Sequence, residues 1–119
     1  MRKLFLALTL VSSLAVSSPF NGNWATSSKA CKASAERLED GQFKLTITPK
    51  VVKMIGYNFV HSERIEEVFK SDNRNFIYSG HYQEMWEGDN SSGTADTRWT
   101  LNNGILKSSE APVKFIKCK

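Results

Sequence analysis

Residues 43–48 alternate apolar and polar side chains without a break: Phe43, Leu45 and Ile47 on one parity, Lys44, Thr46 and Thr48 on the other. Successive side chains of a strand point to opposite faces, so this is the pattern of a strand with one face on a core and one in water. Residues 75–86 carry a heavier version of the same signal. Phe76, Tyr78, Gly80, Tyr82, Glu84 and Trp86 share one face; Ile77, Ser79, His81, Gln83 and Met85 share the other. Four aromatic side chains on one face of one strand must line a core, a ligand cavity or an interface.

The pattern continues along the chain. Pro49 and Lys50 mark a turn, residues 51–55 a strand, and Gly56 its end or bend. Residues 57–70 are long for one strand, so a bulge or break is expected. Ser71, Asp72, Asn73 and Arg74 are turn chemistry, and residues 89–93 read as a polar loop. Ala95, Thr97, Trp99 and Leu101 share a face of the next strand, and Asn103-Gly104 is a hairpin turn. Short strands follow at residues 105–107 and 113–118. Near the N-terminus, Gly22 and Trp24 open a first strand. Ser28 is placed to cap a short helical or irregular piece over residues 28–34, with strand resuming after it. About eight short strands at this spacing, joined by hairpin-length links, predict an all-β fold: a small antiparallel up-and-down barrel with one short helix near residues 28–34.

The basic start (Arg2, Lys3), the apolar run over residues 4–16 and the small residues Ala15 and Ser17 have the form of a signal peptide cut after Ser17. The run is too short for a stable membrane-spanning helix. Residues 1–17 hold two basic residues and no acidic one. Of 16 basic and 12 acidic residues, 14 and 12 would therefore remain, a net +2. No basic run there exceeds two residues, which gives nucleic-acid binding no support. Residues 18–119 are expected to be a single secreted or periplasmic domain without a membrane span.

Cys31 and Cys118 are the only cysteines. In a secreted chain such a pair most often forms a disulfide; two free thiols are the alternative. The pair forms no Cys-x-x-Cys, and with two scattered histidines it does not make up a metal-ligand set. No cofactor is implied.

Gly22-x-Trp24 at the first strand, Cys31 soon after it, the antiparallel meander and the closing Phe115-Ile116-Lys117-Cys118 resemble small secreted bacterial barrel proteins. More loosely, the plan resembles the lipocalin and avidin superfamily and the barrel-type periplasmic inhibitors of secreted metalloproteases. No family's binding residues carry over to this chain. An inhibitor of that type would insert its N-terminal segment, here residues 18–21, into the target cleft.

Pairing Phe69 with Phe76 across the Ser71–Arg74 turn sets Ile65 opposite Gly80, His61 opposite Glu84 and Phe59 opposite Trp86. Aligning Tyr82 with Trp99 sets Glu84 opposite Thr97. His61, Glu63, Glu67 and Glu84 then join the aromatic face, where unpaired carboxylates are costly. One consequence is a ligand pocket walled by Tyr78, Tyr82, Trp86 and Trp99, with His61 and Glu84 as its polar handle. The other is a bulged 57–70 strand whose charges face water over an ordinary aromatic core, which the small size of the chain favours.

Catalysis has little to stand on. His61 and Ser62 point to opposite faces, Glu84 and Glu87 are split by parity, and no nucleophile elbow or phosphate loop is present. Asn90-Ser91-Ser92 fits a glycosylation sequon. The expected function is non-catalytic binding: inhibitor-like or accessory, through loops and especially residues 89–94 against a protein target, or else carriage of a small apolar or aromatic ligand in the barrel.

Overall fold

The computed structural model describes residues 18–119; the expected signal segment lies outside them. Eight antiparallel strands run in sequence order and close on themselves: β1 Gly22–Ala25, β2 Phe43–Ile47, β3 Val51–Gly56, β4 Phe59–Ser71, β5 Asn75–Trp86, β6 Asp89–Asn102, β7 Ile105–Ser108 and β8 Lys114–Lys117. The expected up-and-down barrel is thus the fold. Strands β4 to β6 outrun their neighbours, which makes the molecule long, 56 × 31 × 23 Å. Among the described residues no helix is long and apolar enough to cross a membrane.

Between β1 and β2 lies α1, Ser28–Lys32, followed by a 3-10 turn, Ala35–Arg37. No strand forms there before Phe43. Ser27 rather than Ser28 caps the helix: its Oγ accepts from the Ala30 amide at 3.1 Å. The helix lies outside the barrel, where Ala25, Ala30 and Leu38 form a small second core. The Lys44 ammonium donates to the carbonyls of Cys31 (3.3 Å) and Ala33 (2.6 Å), satisfying acceptors that the short helix leaves open. Cys31 and Cys118 are disulfide-bonded, tying α1 to the chain end.

The main core fills the barrel with Phe20, Trp24, Leu45, Ile47, Val52, Phe76, Tyr78, Trp99, Leu106 and Phe115. Residues 18–21 do not form an extended arm. The Asn21 amide donates to the Ser18 carbonyl, Phe20 is fully buried against Phe76, and the Trp24 indole donates to the Phe20 carbonyl at 3.0 Å. The segment is a plug, held down further by the Lys117 ammonium on the Asn21 carbonyl at 2.6 Å. Withdrawing it to enter a target cleft would expose a core phenylalanine.

In β4–β5, the pairs Phe59–Trp86, His61–Glu84 and Ile65–Gly80 are as the sequence predicts. Beyond Ile65 the register slips twice, so Val68 faces Tyr78 and Ser71, not Phe69, faces Phe76. Each slip inserts a residue that the partner strand does not match. The first turns Glu67 out to water, and Phe69 ends 54 % exposed. Gly80 sits where the first bulge begins: a Cβ there would stand 2.6 Å from the Arg64 carbonyl oxygen.

In β5–β6 the expected pairing is displaced by six residues. Tyr82 faces Gly93, Phe76 faces Trp99, and Glu84 faces Ser91. Residues 89–93 are not a loop but the first half of β6; Glu87 and Gly88, both at positive φ, make the whole turn. Six is even, so the shift changed partners but not faces, and Thr97 and Trp99 still point inward with Tyr78.

Candidate functional site

One row of paired residues crosses the upper barrel: Trp24, Leu45, Met54, His61, Glu84 and Ser91, on β1 to β6 in turn. The row beside it holds Ile47, Val52, Glu63, Tyr82 and Gly93. β7 pairs only with residues 99–102 of β6. Among the described residues the upper half of β6 therefore has no strand on its outer side, and the barrel opens there. The opening is a cavity of about 420 Å³ lined by the inner faces of β3 to β6, with Ser108 at the end of β7 and Glu110 and Ala111 of the β7–β8 link on its rim.

A connected polar network runs through its floor. The Trp99 indole donates to the Tyr78 hydroxyl at 3.0 Å, and that hydroxyl donates to Glu63 Oε1. Thr97 Oγ1 donates to Glu63 Oε2 at 3.0 Å. The His61 ring lies between carboxylates, Nε2 at 3.4 Å from Glu63 and Nδ1 at 2.8 Å from Glu84. Glu63 is only 5 % exposed, yet every buried side-chain polar atom among the described residues has a partner. A buried carboxylate persists because its oxygens are satisfied.

The same contacts set the protonation states. The bond to Glu63 raises the His61 pKa against the opposing effect of burial, and Glu84 raises it further. Burial pushes the Glu63 pKa up, but bonds from His61, Tyr78 and Thr97 outweigh it and hold the carboxyl below its ordinary value. Burial, then the Glu63 charge, pushes the Tyr78 phenol up, so it stays a donor. An imidazolium bonded through Nδ1 to Glu84 and ion-paired through Nε2 with Glu63 fits this geometry.

The sign of the pH dependence follows. His61, raised above its ordinary 6.5, contributes stability below that value, and the contribution is lost as pH rises through the folded-state pKa. Glu63, lowered below 4.5, contributes above that value and loses it as pH falls through its folded-state pKa. Both contributions are complete between about pH 4.5 and 6.5. Urea unfolding should show wild type exceeding His61→Gln most within that window, with the excess shrinking as pH rises above it. Parallel curves from about pH 6 to 9 would count against a charged His61.

Of the sequence-predicted site residues, His61, Tyr82 and Glu84 meet at the mouth. Tyr82 and His61 stack at 5.7 Å. Tyr78 and Trp99 are buried beneath them, Tyr78 fully and Trp99 with 2 % exposed, so they belong to the core and floor. Trp86 does not line this cavity. It stands 59 % exposed at the strand tip, edge-on to Phe59. Glu63, recognised from the sequence as sharing the aromatic face, turns out to be the centre of the network. Thr97, Met54 and Glu110 were not singled out; parity with Trp99 is the signal that places Thr97. Ser62 pairs in the outward row with Lys53 and Gln83. Among the described residues no three His, Cys, Asp or Glu side chains are grouped to hold a metal ion.

Comparison with protein-family models, with curated proteins and with solved structures gives no match, so the likeness to known barrel proteins rests on strand plan and disulfide alone.

Proposed function

We propose that this is a secreted, non-catalytic binding protein that holds a small ligand in the mouth of its barrel. The observation that carries this reading is the cavity over a sealed core. About 420 Å³ of space, within the size range of ligand sites, lies above a packed barrel and beside a charged network held in place from below. Such a fixed set of polar groups next to aromatic walls suits orientation of a ligand. The lower barrel is filled, so the ligand is shallow-seated rather than enclosed. His61, Tyr82 and Glu84 are the contacts we assign, with Tyr78 and Trp99 as support.

Native mass spectrometry of the protein secreted from its own host is the test. A retained small molecule is expected, and it should be lost in Ser91→Phe, which crowds an exposed position on the rim. Retention unaffected by Ser91→Phe would place the ligand elsewhere.

The inhibitor-like reading is the alternative, and one observation favours it. Among the described residues, 89–97 of β6 present an edge that no strand pairs, and an extended segment of a protein target can add to such an edge. Stoichiometric co-purification of a protein, with no small molecule retained, would support it over the carrier.

A further inference from the structure

Resting on the reading of the mouth as a ligand site, we infer that its ligand is an organic cation, an ammonium group on a small apolar or aromatic body.

The first reason is the charge of the lining. Glu63, Glu84 and Glu110 face the cavity together with one imidazole, and no lysine or arginine lines it. Residues 18–119 nevertheless carry 14 basic side chains, the 16 of the chain less Arg2 and Lys3. The basic groups are absent from this lining, where an anionic ligand of the mouth would have to bind. Even with His61 charged, the lining keeps a negative excess, which attracts a cation and repels a carboxylate or phosphate.

The second is which groups are already used. Both Glu63 oxygens are engaged by Tyr78, Thr97 and His61. Glu84 spends only Oε1, on His61, and its side chain is 32 % exposed. Among the described residues its other oxygen and the Tyr82 hydroxyl bond no protein group. The mouth therefore offers acceptors that a donor-rich cationic head can fill.

The third is the ring beside them. His61 stacks on Tyr82 from β4, whereas the residue across from Tyr82 on β6 is Gly93. A Cβ at Gly93 would stand 3.3 Å from the phenol ring. The ring packs on the Gly93 backbone on the β6 side and keeps part of its surface in the mouth. A partly exposed aromatic ring beside a carboxylate with a spare oxygen is a pairing that recognises ammonium groups.

The experiment uses the oxidised secreted protein and three probes of one shape: phenethylamine, phenethyl alcohol and 3-phenylpropionate. Binding is read by calorimetry and by NMR shifts of Tyr82 and Ala95. The amine should bind at least about ten-fold tighter than the alcohol, and the propionate weakest. Glu84→Gln should cost the amine about ten-fold and leave the alcohol unchanged, with Glu110→Gln giving a smaller loss in the same direction. Equal affinity for amine and alcohol, or preference for the propionate, overturns the cation assignment while keeping the mouth as a binding site. Silence of the cavity resonances to all three probes overturns both.

Discussion

Replacing both cysteines with serine is expected to lower the unfolding free energy by about 4 kcal/mol and to open the barrel at one seam first. The disulfide joins residues 87 apart in sequence, a loop that includes nearly the whole domain. In the chain-entropy account, closing so long a loop removes about 4–5 kcal/mol of unfolded-state freedom. A domain of this size holds only about 5–15 kcal/mol in all. The location matters as much as the amount. β1 and β8 share two residue pairs, Trp24–Lys117 and Ala25–Ile116, the shortest contact between adjacent strands together with β7–β8. One further bond, from the Cys118 amide to the Asn23 carbonyl at 2.8 Å, lies beside it. Between β4 and β5, by contrast, eleven pairs hold the strands. Without the disulfide, amides of β1 and β8 should exchange with solvent well before those of β4 to β6. Urea unfolding of the serine variant and hydrogen exchange read the two claims separately. A loss under about 1 kcal/mol would mean that the plug of Phe20 and Trp24 closes the seam unaided.

Side-chain parity, turn residues and cysteine count were enough to predict the barrel, because each is local. Register is not local, and there the sequence was only partly legible. His61 opposite Glu84 was predicted, since β4 and β5 pair without interruption from Phe59 to Ile65. The slips beyond Ile65 were not, because nothing in Glu66, Glu67, Val68 and Phe69 marks which residue is left over. Residues 89–93 read as a loop because Asp, Asn, Ser and Gly are poor strand formers. β5 imposes extended structure on them through backbone pairing, and tertiary contact overrides propensity. For the site, parity put Glu63 on the aromatic face, but it gave no measure of depth. Whether a carboxylate at that position is buried depends on the donors beneath it. Tyr78 and Thr97 lie 15 and 34 residues away in sequence, and only the fold brings them to Glu63.

Glu63→Leu is expected to destabilise the protein by about 3–5 kcal/mol, the range for removing one partner from a buried charged group. Its two oxygens serve the Tyr78 and Thr97 hydroxyls and the His61 ring, so truncation leaves both hydroxyls without their acceptor and the His61 ring with Glu84 alone. Tyr78→Phe leaves the Trp99 indole without its acceptor and takes one donor from Glu63, a cost of about 1–3 kcal/mol. Because the two losses overlap, the double variant Glu63→Leu/Tyr78→Phe should be less destabilised than their sum by about 1 kcal/mol or more. Additivity to within about 0.5 kcal/mol would mean that the hydroxyl–carboxylate contact contributes nothing of its own. The His61 titration, followed by NMR, separates packing from charge. With Glu63 gone, the bond that most raises the imidazole pKa is gone, and Glu84 alone opposes burial. The pKa should therefore fall toward or below its ordinary value in Glu63→Leu and remain raised in Tyr78→Phe. If both variants leave it unchanged, Glu63 is a structural carboxylate only, and the mouth is not electrostatically coupled to the floor on which it rests.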